Sequence, residues 1–368
     1  MVLLAVGALG VGAYLAGPGR GSPPELAHDA PAPRGLGLED AVPLDTTVLV
    51  SVDLVKLRST RFGEALLGRD RQVDGVGRLR ELCGFDPLEL VRELAVVVPA
   101  REGADFGVVA VGSFAADPIV ACASKLIERR GGQPLRSSIG GFVTVRDAKS
   151  VDGEGELAVR SGMLLLGGGA YLRTLVDTAE GKLPRIEQGG AHAELRAELD
   201  PGLTAAATIV LTPAQREVIR EELAASTSAV PRTLGQVRAA ALGLRLEGET
   251  LHAMATVAAD DDASAAALLE LVSALRDEAA KSPAAAVLGT AELLRRARLE
   301  RRGRGVYARV EATTAELDRA GARAAELRGL AERGLFGGGP ERPKGGGPGS
   351  SSPGAEPTPS PPSTAPRR

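Results

Sequence analysis

The chain has 368 residues, enough for two or three domains of ordinary size. Its hydrophobic content of 44% is normal for a globular protein, but it has no Trp, six Phe and three Tyr, so its core must consist mainly of Ala, Val and Leu. A formal net charge of −3 gives no overall field that would attract nucleic acid or an anionic membrane to the whole surface.

Residues 1–17 are uncharged and apolar, and they predict a membrane anchor. As a helix they would span about 25 Å, slightly less than the roughly 30 Å of a hydrocarbon core. Because no convincing small-residue cleavage site follows, we interpret the segment as an uncleaved transmembrane helix, with a cleaved signal as the alternative. The nearby basic residues, Arg20 and Arg34, both follow the segment and by charge alone favour a cytoplasmic body. The prediction of a single-pass inner-membrane protein with a periplasmic body therefore rests on the signal-like character of the segment.

Two further segments have compositions typical of disorder. Residues 18–43 are rich in Pro, Gly and Ala without periodicity, which predicts a flexible tether. Residues 335–368 consist largely of Gly, Pro, Ser and Thr and cannot bury enough apolar surface to fold.

Between these segments, the first half of the body alternates apolar runs with turn signals and helical patterns. Asp86-Pro87-Leu88-Glu89 predicts a helix start, with Asp as the N-cap and Pro at the first helical position. The predicted elements are a strand at 48–53, short helices at 58–67, 77–82 and 88–93, a hairpin at 94–99 and 106–114, a helix at 117–130, hairpins at 135–146 and 156–166, and a helix at 170–180.

The second half repeats this order in a shorter form. Its predicted elements are a helix at 192–199, a strand at 203–211, a helix at 212–225, a hairpin turning at Gly248-Glu249, a helix to residue 281, a hairpin at 293–302 and 306–312, and a helix at 313–330. We therefore predict an α+β fold of two similar units, residues 44–187 and 188–334, each with antiparallel hairpins and helices packed on one face.

The segments PLDTTVLVSVD and GFDPLELVRELAVVV, the apolar N-terminus and the repeated hairpin–helix units resemble a broad group of uncharacterised bacterial envelope proteins. The resemblance covers residues 43–330. It implies a membrane anchor and a duplicated α+β body of unknown function, and it transfers no catalytic residues.

Gly167-Gly168-Gly169 follows a predicted strand and precedes a predicted helix, which is the context of a phosphate-binding loop. A dinucleotide fingerprint would need Gly at position 172, where the chain has Leu172, and no Lys-Ser/Thr pair follows as in a P-loop. We therefore interpret the glycines as a strand-to-helix turn.

The densest basic run comprises Arg295, Arg296, Arg298, Arg301, Arg302 and Arg304. It could meet phosphates, but strand alternation would place Ala297 and Leu299 on one face and the charged residues on the other. No aromatic residue interleaves with the arginines, so we expect a solvated strand face and no nucleic-acid partner.

Other polar clusters are equally compatible with structural roles. Asp260-Asp261-Asp262 precedes a predicted helix, where capping explains it better than a metal site. His28, His192 and His252 are scattered and match no catalytic or zinc motif.

Cys83 and Cys122 each lie on an apolar helical face. Two buried free thiols are the simplest expectation, and a disulfide is the alternative if the body is extracytoplasmic.

The sequence thus predicts a non-enzymatic binding or scaffolding module of the cell envelope, attached to the membrane by its N-terminal helix. We assign no catalytic, cofactor-binding or metal-binding residue, and we expect an envelope protein or a lipid as partner. The alternatives are a hydrolase or transferase with a site between the two units, and a protein with a lipid-binding pocket.

Overall fold

The structure is a computed structural model that describes residues 37–67, 72–73, 77–100, 106–150, 155–186, 190–224 and 233–332. The predicted anchor, most of the predicted tether and the predicted tail lie outside these ranges. No helix within the described ranges is both long and apolar enough to cross a membrane. The chain divides into one compact unit ending at Ala324 and a second beginning at Ala325, of which only the end of the last helix is described.

The body is built around one large antiparallel sheet. In chain order the strands are β1 (Thr46–Asp53), β2 (Gln72–Val73), β3 (Gly77–Arg78), β4 (Val91–Pro99), β5 (Gly107–Gly112), β6 (Pro134–Ile139), β7 (Phe142–Asp147), β8 (Gly155–Arg160), β9 (Met163–Gly168), β10 (Ala205–Val210), β11 (Val237–Glu247), β12 (Thr250–Ala259), β13 (Arg298–Arg302) and β14 (Gly305–Thr313). Strands β2 and β3 form a separate ribbon, and the other twelve form the sheet in the order β13-β14-β12-β11-β10-β1-β4-β5-β9-β8-β7-β6. The predicted α+β class with antiparallel hairpins is confirmed.

Helices connect these strands. In chain order they are α1 (Leu54–Arg58), α2 (Arg61–Leu67), α3 (Leu79–Cys83), α4 (Pro87–Leu90), α5 (Ala116–Arg129), α6 (Gly169–Ala179), α7 (Ala191–Ala197), α8 (Pro213–Ala224), α9 (Asp262–Lys281), α10 (Pro283–Leu288), α11 (Ala291–Arg296) and α12 (Thr314–Glu332). A 3₁₀ turn, Leu38–Ala41, precedes β1.

The sheet has the same strand order on both sides of its centre. Strands β1 and β10 pair there, with Val50 opposite Ala207. Outward from this pair the first half runs β1-β4-β5-β9-β8, and the second half runs β10-β11-β12-β14-β13. The first half carries the hairpin β6–β7 as an addition at its edge. One continuous sheet therefore passes through both predicted units.

Helices cover both faces of the sheet, so the prediction of helices on one face is wrong. Val97 and Val109 pack with α6 on one face, whereas Ala110 and Val145 pack with α5 on the other. Helix α7 lies on the same face as α6, and α9 lies on the same face as α5, as the strand register shows. The apolar runs of β4 and β5 contain few polar positions, which is typical of strands buried on both sides.

The end of the predicted tether is ordered, contrary to expectation. Leu38, Ala41 and Val42 belong to the buried cluster beneath α6, with 5%, 0% and 0% of their surface exposed. The backbone N–H of Ile186 donates to the Val42 carbonyl at 2.8 Å. Apolar residues at these spacings bury one side of a short 3₁₀ turn, a signal that the Pro- and Gly-rich composition concealed.

Candidate functional site

The glycine run forms a packed turn. Gly167 and Gly168 end β9, and α6 begins at Gly169. A Cβ added at Gly167 would lie 3.2 Å from the backbone nitrogen of Leu172, because the strand passes close to the helix that follows it. The predicted strand-to-helix turn is confirmed.

The arginine run spans a helix and a strand, so the predicted strand at 293–297 is wrong. Arg296 ends α11 and pairs with Glu316 at 2.6 Å. On β13, Arg302 pairs with Glu300 and stacks over Tyr307, with 5.1 Å from its guanidinium carbon to the ring centroid. In helix α11 the partly buried residues Ala291 and Leu294 are three positions apart, a helical spacing that the hairpin interpretation overlooked. Much of the positive charge is thus matched by acidic residues of the same surface.

The three aspartates divide between two structural roles. Asp261 is the N-cap of α9, and its Oδ1 accepts a hydrogen bond from the Ser264 N–H at 2.7 Å. Asp260 pairs with Arg216 at 2.8 Å and with Arg220 at 2.7 Å. The predicted capping role is confirmed for Asp261. Among the described residues no group of three His, Cys, Asp or Glu side chains is arranged to hold a metal ion.

The histidines that lie in the described ranges are both anchored. His192 on α7 is 5% exposed; its Nε2 lies 2.9 Å from the Thr46 carbonyl oxygen and its Nδ1 lies 2.7 Å from Thr208 Oγ1. A carbonyl can only accept, so neutral His192 carries its proton on Nε2 and accepts from the Thr208 hydroxyl. Burial lowers the pKa of His192, the hydrogen bond to Thr46 opposes this, and the nearby Arg196 lowers the pKa further. His252 lies between two carboxylates, 3.5 Å from Glu247 and 3.3 Å from Glu311.

The two cysteines form a disulfide, so the expectation of free thiols is wrong. Cys83 is the last residue of α3 and Cys122 lies on α5, with their Cα atoms 4.9 Å apart. Helix α3 packs against α5, which brings together cysteines that are 39 residues apart in sequence. Spacing alone could not reveal this pairing.

An open cleft of about 490 Å³ lies at the ends of β1 and β10, where the two halves of the sheet meet. Its acidic side chains are Glu39, Asp40, Asp53 and Glu93. Asp53 caps α1 and pairs with Lys56 at 3.3 Å, Asp40 pairs with Arg185, and Glu39 pairs with Arg196 at 3.4 Å.

The backbone of Glu93 pairs within the sheet, but its carboxylate makes no hydrogen bond or ion pair with another described residue. The Ser51 hydroxyl in the cleft accepts a hydrogen bond from the Arg196 guanidinium at 2.7 Å. Three of the four carboxylates in the cleft therefore serve as caps or ion-pair partners, and the hydroxyl of Ser51 is bonded to a cation where a nucleophile would need a base.

On the face that carries α5 and α9, the middle of the sheet is aliphatic and only partly buried. We call this patch the central aliphatic face; its side chains are Val48, Val50, Val96, Ala207, Ile209 and Leu242. None of the six belongs to a buried cluster of the described residues. On this face α5 lies against β7 and β8, α9 lies against β12, β13 and β14, and α1 lies against β1 and β4, where Val52 and Leu94 pack with the same cluster as α5.

The opposite face of the same strands is closed. Leu49, Val97, Thr208 and Ala241 alternate with the six aliphatic residues and are at most 5% exposed. A solvent-facing side of an antiparallel sheet normally alternates to polar residues, which this patch lacks. Apolar side chains that stay partly exposed in one patch of a sheet are a feature of interaction sites.

No family model and no curated protein matches this sequence. Among solved structures, the fold is similar to crystal forms I, III and IV of TP0453. Form I is 10% identical in sequence with a TM-score of 0.42, and the match covers 78% of this chain and 97% of TP0453. Form III is 11% identical with a TM-score of 0.47, and the match covers 79% of this chain and 100% of TP0453. Form IV is 9% identical with a TM-score of 0.42, and the match covers 76% of this chain and 94% of TP0453. Scores at this level carry no information about what this chain binds.

Proposed function

We propose that this protein is a non-enzymatic binding or scaffolding module of the bacterial cell envelope. In this proposal residues 1–17 anchor it in the inner membrane, and its body lies on the periplasmic side. The observation that carries the binding function is the central aliphatic face. A folded chain that leaves aliphatic side chains uncovered forgoes about 25 cal/mol for each Å² of apolar surface, and a ligand seated there recovers that free energy.

The Cys83–Cys122 disulfide supports an extracytoplasmic location. Disulfides persist in the periplasm and are rare in the cytoplasm, where thiol reductants keep cysteines reduced. This evidence is independent of the flanking arginines, which by themselves favour the opposite orientation.

The matching strand order on the two sides of β1 and β10 supports the proposal that the body consists of two similar units. In each half a central strand, β1 or β10, pairs with a hairpin, β4–β5 or β11–β12. A helix, α5 or α9, follows that hairpin in the chain, and a later hairpin, β8–β9 or β13–β14, extends the sheet outward. Such an arrangement puts the central aliphatic face at the junction of the halves, where both contribute strands to it.

The hydrolase or transferase alternative has less support. It requires groups that converge on a reacting atom, such as a nucleophile with a base or two carboxylates in acid and base roles. In the junction cleft, Asp53 is bound to its own helix N-terminus and Glu39 is bound to Arg196. These pairings stabilise the body and leave Glu93 without a catalytic partner among the described residues.

Two measurements test the proposal. Protease treatment of intact spheroplasts, with an epitope after Arg368, should remove the tag while cytoplasmic markers stay protected; protection of the tag until detergent is added would place the body in the cytoplasm. In the same cells, thiol alkylation before and after reduction should show Cys83 and Cys122 reacting only after reduction. Alkylation without reductant would contradict the compartment assignment.

A further inference from the structure

The large sheet has two free edges, and they differ in charge. Strand β13 forms one edge, and four of its five residues are charged: Arg298, Glu300, Arg301 and Arg302. Charged side chains on an edge strand oppose pairing with another strand. Strand β6 forms the other edge, and its one charged residue is Arg136, whose guanidinium donates to Ser124 Oγ on α5 at 3.0 Å. The edge at β6 therefore lacks the row of charges that protects β13.

The outer side of β6 offers free backbone groups. Directly before the strand, the Ala148 N–H donates to the Gln133 carbonyl at 2.7 Å, so this carbonyl points toward β7. Backbone groups alternate between the two sides of a strand, so the odd-numbered residues of β6 also point theirs toward β7. The N–H and C=O groups of Arg136 and Ser138 consequently point outward, where no strand of the described ranges pairs with them.

On the face that carries α6, the side chains of β6 form a short row with an apolar residue at each end. Ile139 packs with the buried cluster beneath α6, and Leu135 lies on the same face with 43% of its surface exposed. Ser137 lies between them, and its Oγ is 2.6 Å from Thr144 Oγ1. The row therefore reads nearly the same in both directions along the strand.

A second copy of β6 fits this edge in one antiparallel register. With Ser137 opposite Ser137 of the second copy, Leu135 faces Ile139 at both ends, and the outward backbone groups of Arg136 meet those of Ser138. Leu135 and Ile139 then form a non-hydrogen-bonded pair, the kind in which side chains approach most closely. A register centred on Arg136 would instead set two guanidinium groups directly opposite each other, which is destabilising.

From these features we infer that β6 is a dimerisation edge, at which two copies of this chain pair their β6 strands antiparallel and join their sheets into one. The inference goes beyond the proposed binding function and does not involve the central aliphatic face. It gives a role to the hairpin β6–β7, which has no counterpart in the second half of the sheet. Two short strands bury less than the roughly 1,600 Å² of a standard protein interface, so we expect a reversible, concentration-dependent dimer.

Disulfide cross-linking of the full chain in detergent micelles tests the inference. In Ser137→Cys the two new thiols face each other, with about 4.5 Å between their Cα atoms, a separation that a disulfide can bridge. In Ser138→Cys, the matched control on the same strand, the Cα atoms would be about 9 Å apart, which is too far. With copper–phenanthroline as the oxidant, we expect Ser137→Cys to form dimers on a non-reducing gel at least tenfold faster than Ser138→Cys.

Two changes added to Ser137→Cys separate strand pairing from random collision. Ser138→Pro removes an outward N–H that β7 does not use, and Pro is tolerated on an edge strand at such a position. Leu135→Lys places a charge on the edge and alters only an exposed side chain, so it serves as the second variant if Pro disturbs the hairpin. We expect each change to slow cross-linking at least tenfold, whereas Val218→Lys, at an exposed position on α8, should leave the rate unchanged.

Three results would overturn the inference. The first is equal cross-linking of Ser137→Cys and Ser138→Cys, and the second is cross-linking that neither Ser138→Pro nor Leu135→Lys slows. The third is a benzophenone cross-linker at Leu135 that captures a different protein in cells and no second copy of this chain, which would make β6 an edge for another partner. None of these results concerns the central aliphatic face, so each would leave the proposed function standing.

Discussion

Removing the cross-link between Cys83 and Cys122 should lower the stability of the body by about 4 kcal/mol. The disulfide closes a loop of 39 residues. In the chain-entropy treatment, a loop of that length restricts the unfolded state by about 13 cal/mol/K, which corresponds to about 3.9 kcal/mol at 25 °C. The loop includes α4, β4, β5 and the start of α5. The cross-link therefore joins helices α3 and α5, which already pack together.

Urea unfolding with and without a dithiol reductant measures this effect on one and the same chain. With a urea dependence of roughly 3 kcal/mol/M for a body of this size, reduction should shift the midpoint downward by about 1.3 M. The variant carrying Cys83→Ala and Cys122→Ala is the control, since its midpoint should be low and should not respond to reductant. Coincident curves for the oxidised and reduced parent protein would refute the reasoning, because the unfolded chain would then gain no freedom when the bond is broken.

Three further predictions concern the folded body. Because the pKa of His192 is lowered in the folded protein, the unfolded state takes up a proton at this residue first as the pH falls. The free energy of unfolding should therefore be constant above about pH 6.5 and decrease below it, which urea midpoints measured between pH 7.5 and 5.5 should show. An equal pH dependence in His192→Gln would exclude the histidine as its source. Gly107→Ala should cost about 1–3 kcal/mol in thermal or urea unfolding, since its Cβ would lie 2.7 Å from Leu175 Cδ1, whereas Gly155→Ala, with no atom within 4 Å, should change stability by less than about 0.5 kcal/mol. Asp261→Ala should cost about 1 kcal/mol through loss of the α9 cap, and an unchanged midpoint would show that water replaces the cap at no cost.

Features that depend on near neighbours in the chain were predictable from the sequence. The cap at Asp86 is present, with its Oδ1 accepting from the Leu88 N–H at 2.9 Å. The predicted capping boxes at the starts of α8 and α12 also form. At α8 the Gln215 backbone N–H donates to Thr212 Oγ1 at 3.2 Å, and at α12 the Thr313 backbone N–H donates to Glu316 Oε2 at 2.8 Å. Each of these contacts spans three residues or fewer, so the residue types alone specify the geometry.

The sequence was misleading where a local pattern suits two structures. The cap at Asp86 predicts a helix from residue 88 to 93. The observed helix α4 ends at Leu90, because β4 begins at Val91, which pairs with Gly112. The apolar and basic run before β13 reads equally well as a strand or as a helix, and contact with α9 and β14 selects the helix α11.

The sequence by itself determined the α+β class, the turns and the helix starts, because propensity, capping and alternation act over a few residues. Only the tertiary structure decided that both halves share one sheet through β1 and β10, that Cys83 meets Cys122, and that helices cover both faces. It also decided which aliphatic residues remain uncovered: Val50 and Val97 are indistinguishable as residues of apolar strands, yet one is partly exposed and the other is buried beneath α6. Burial depends on which elements meet across the fold, and those meetings involve residues far apart in the chain, where local sequence carries no information.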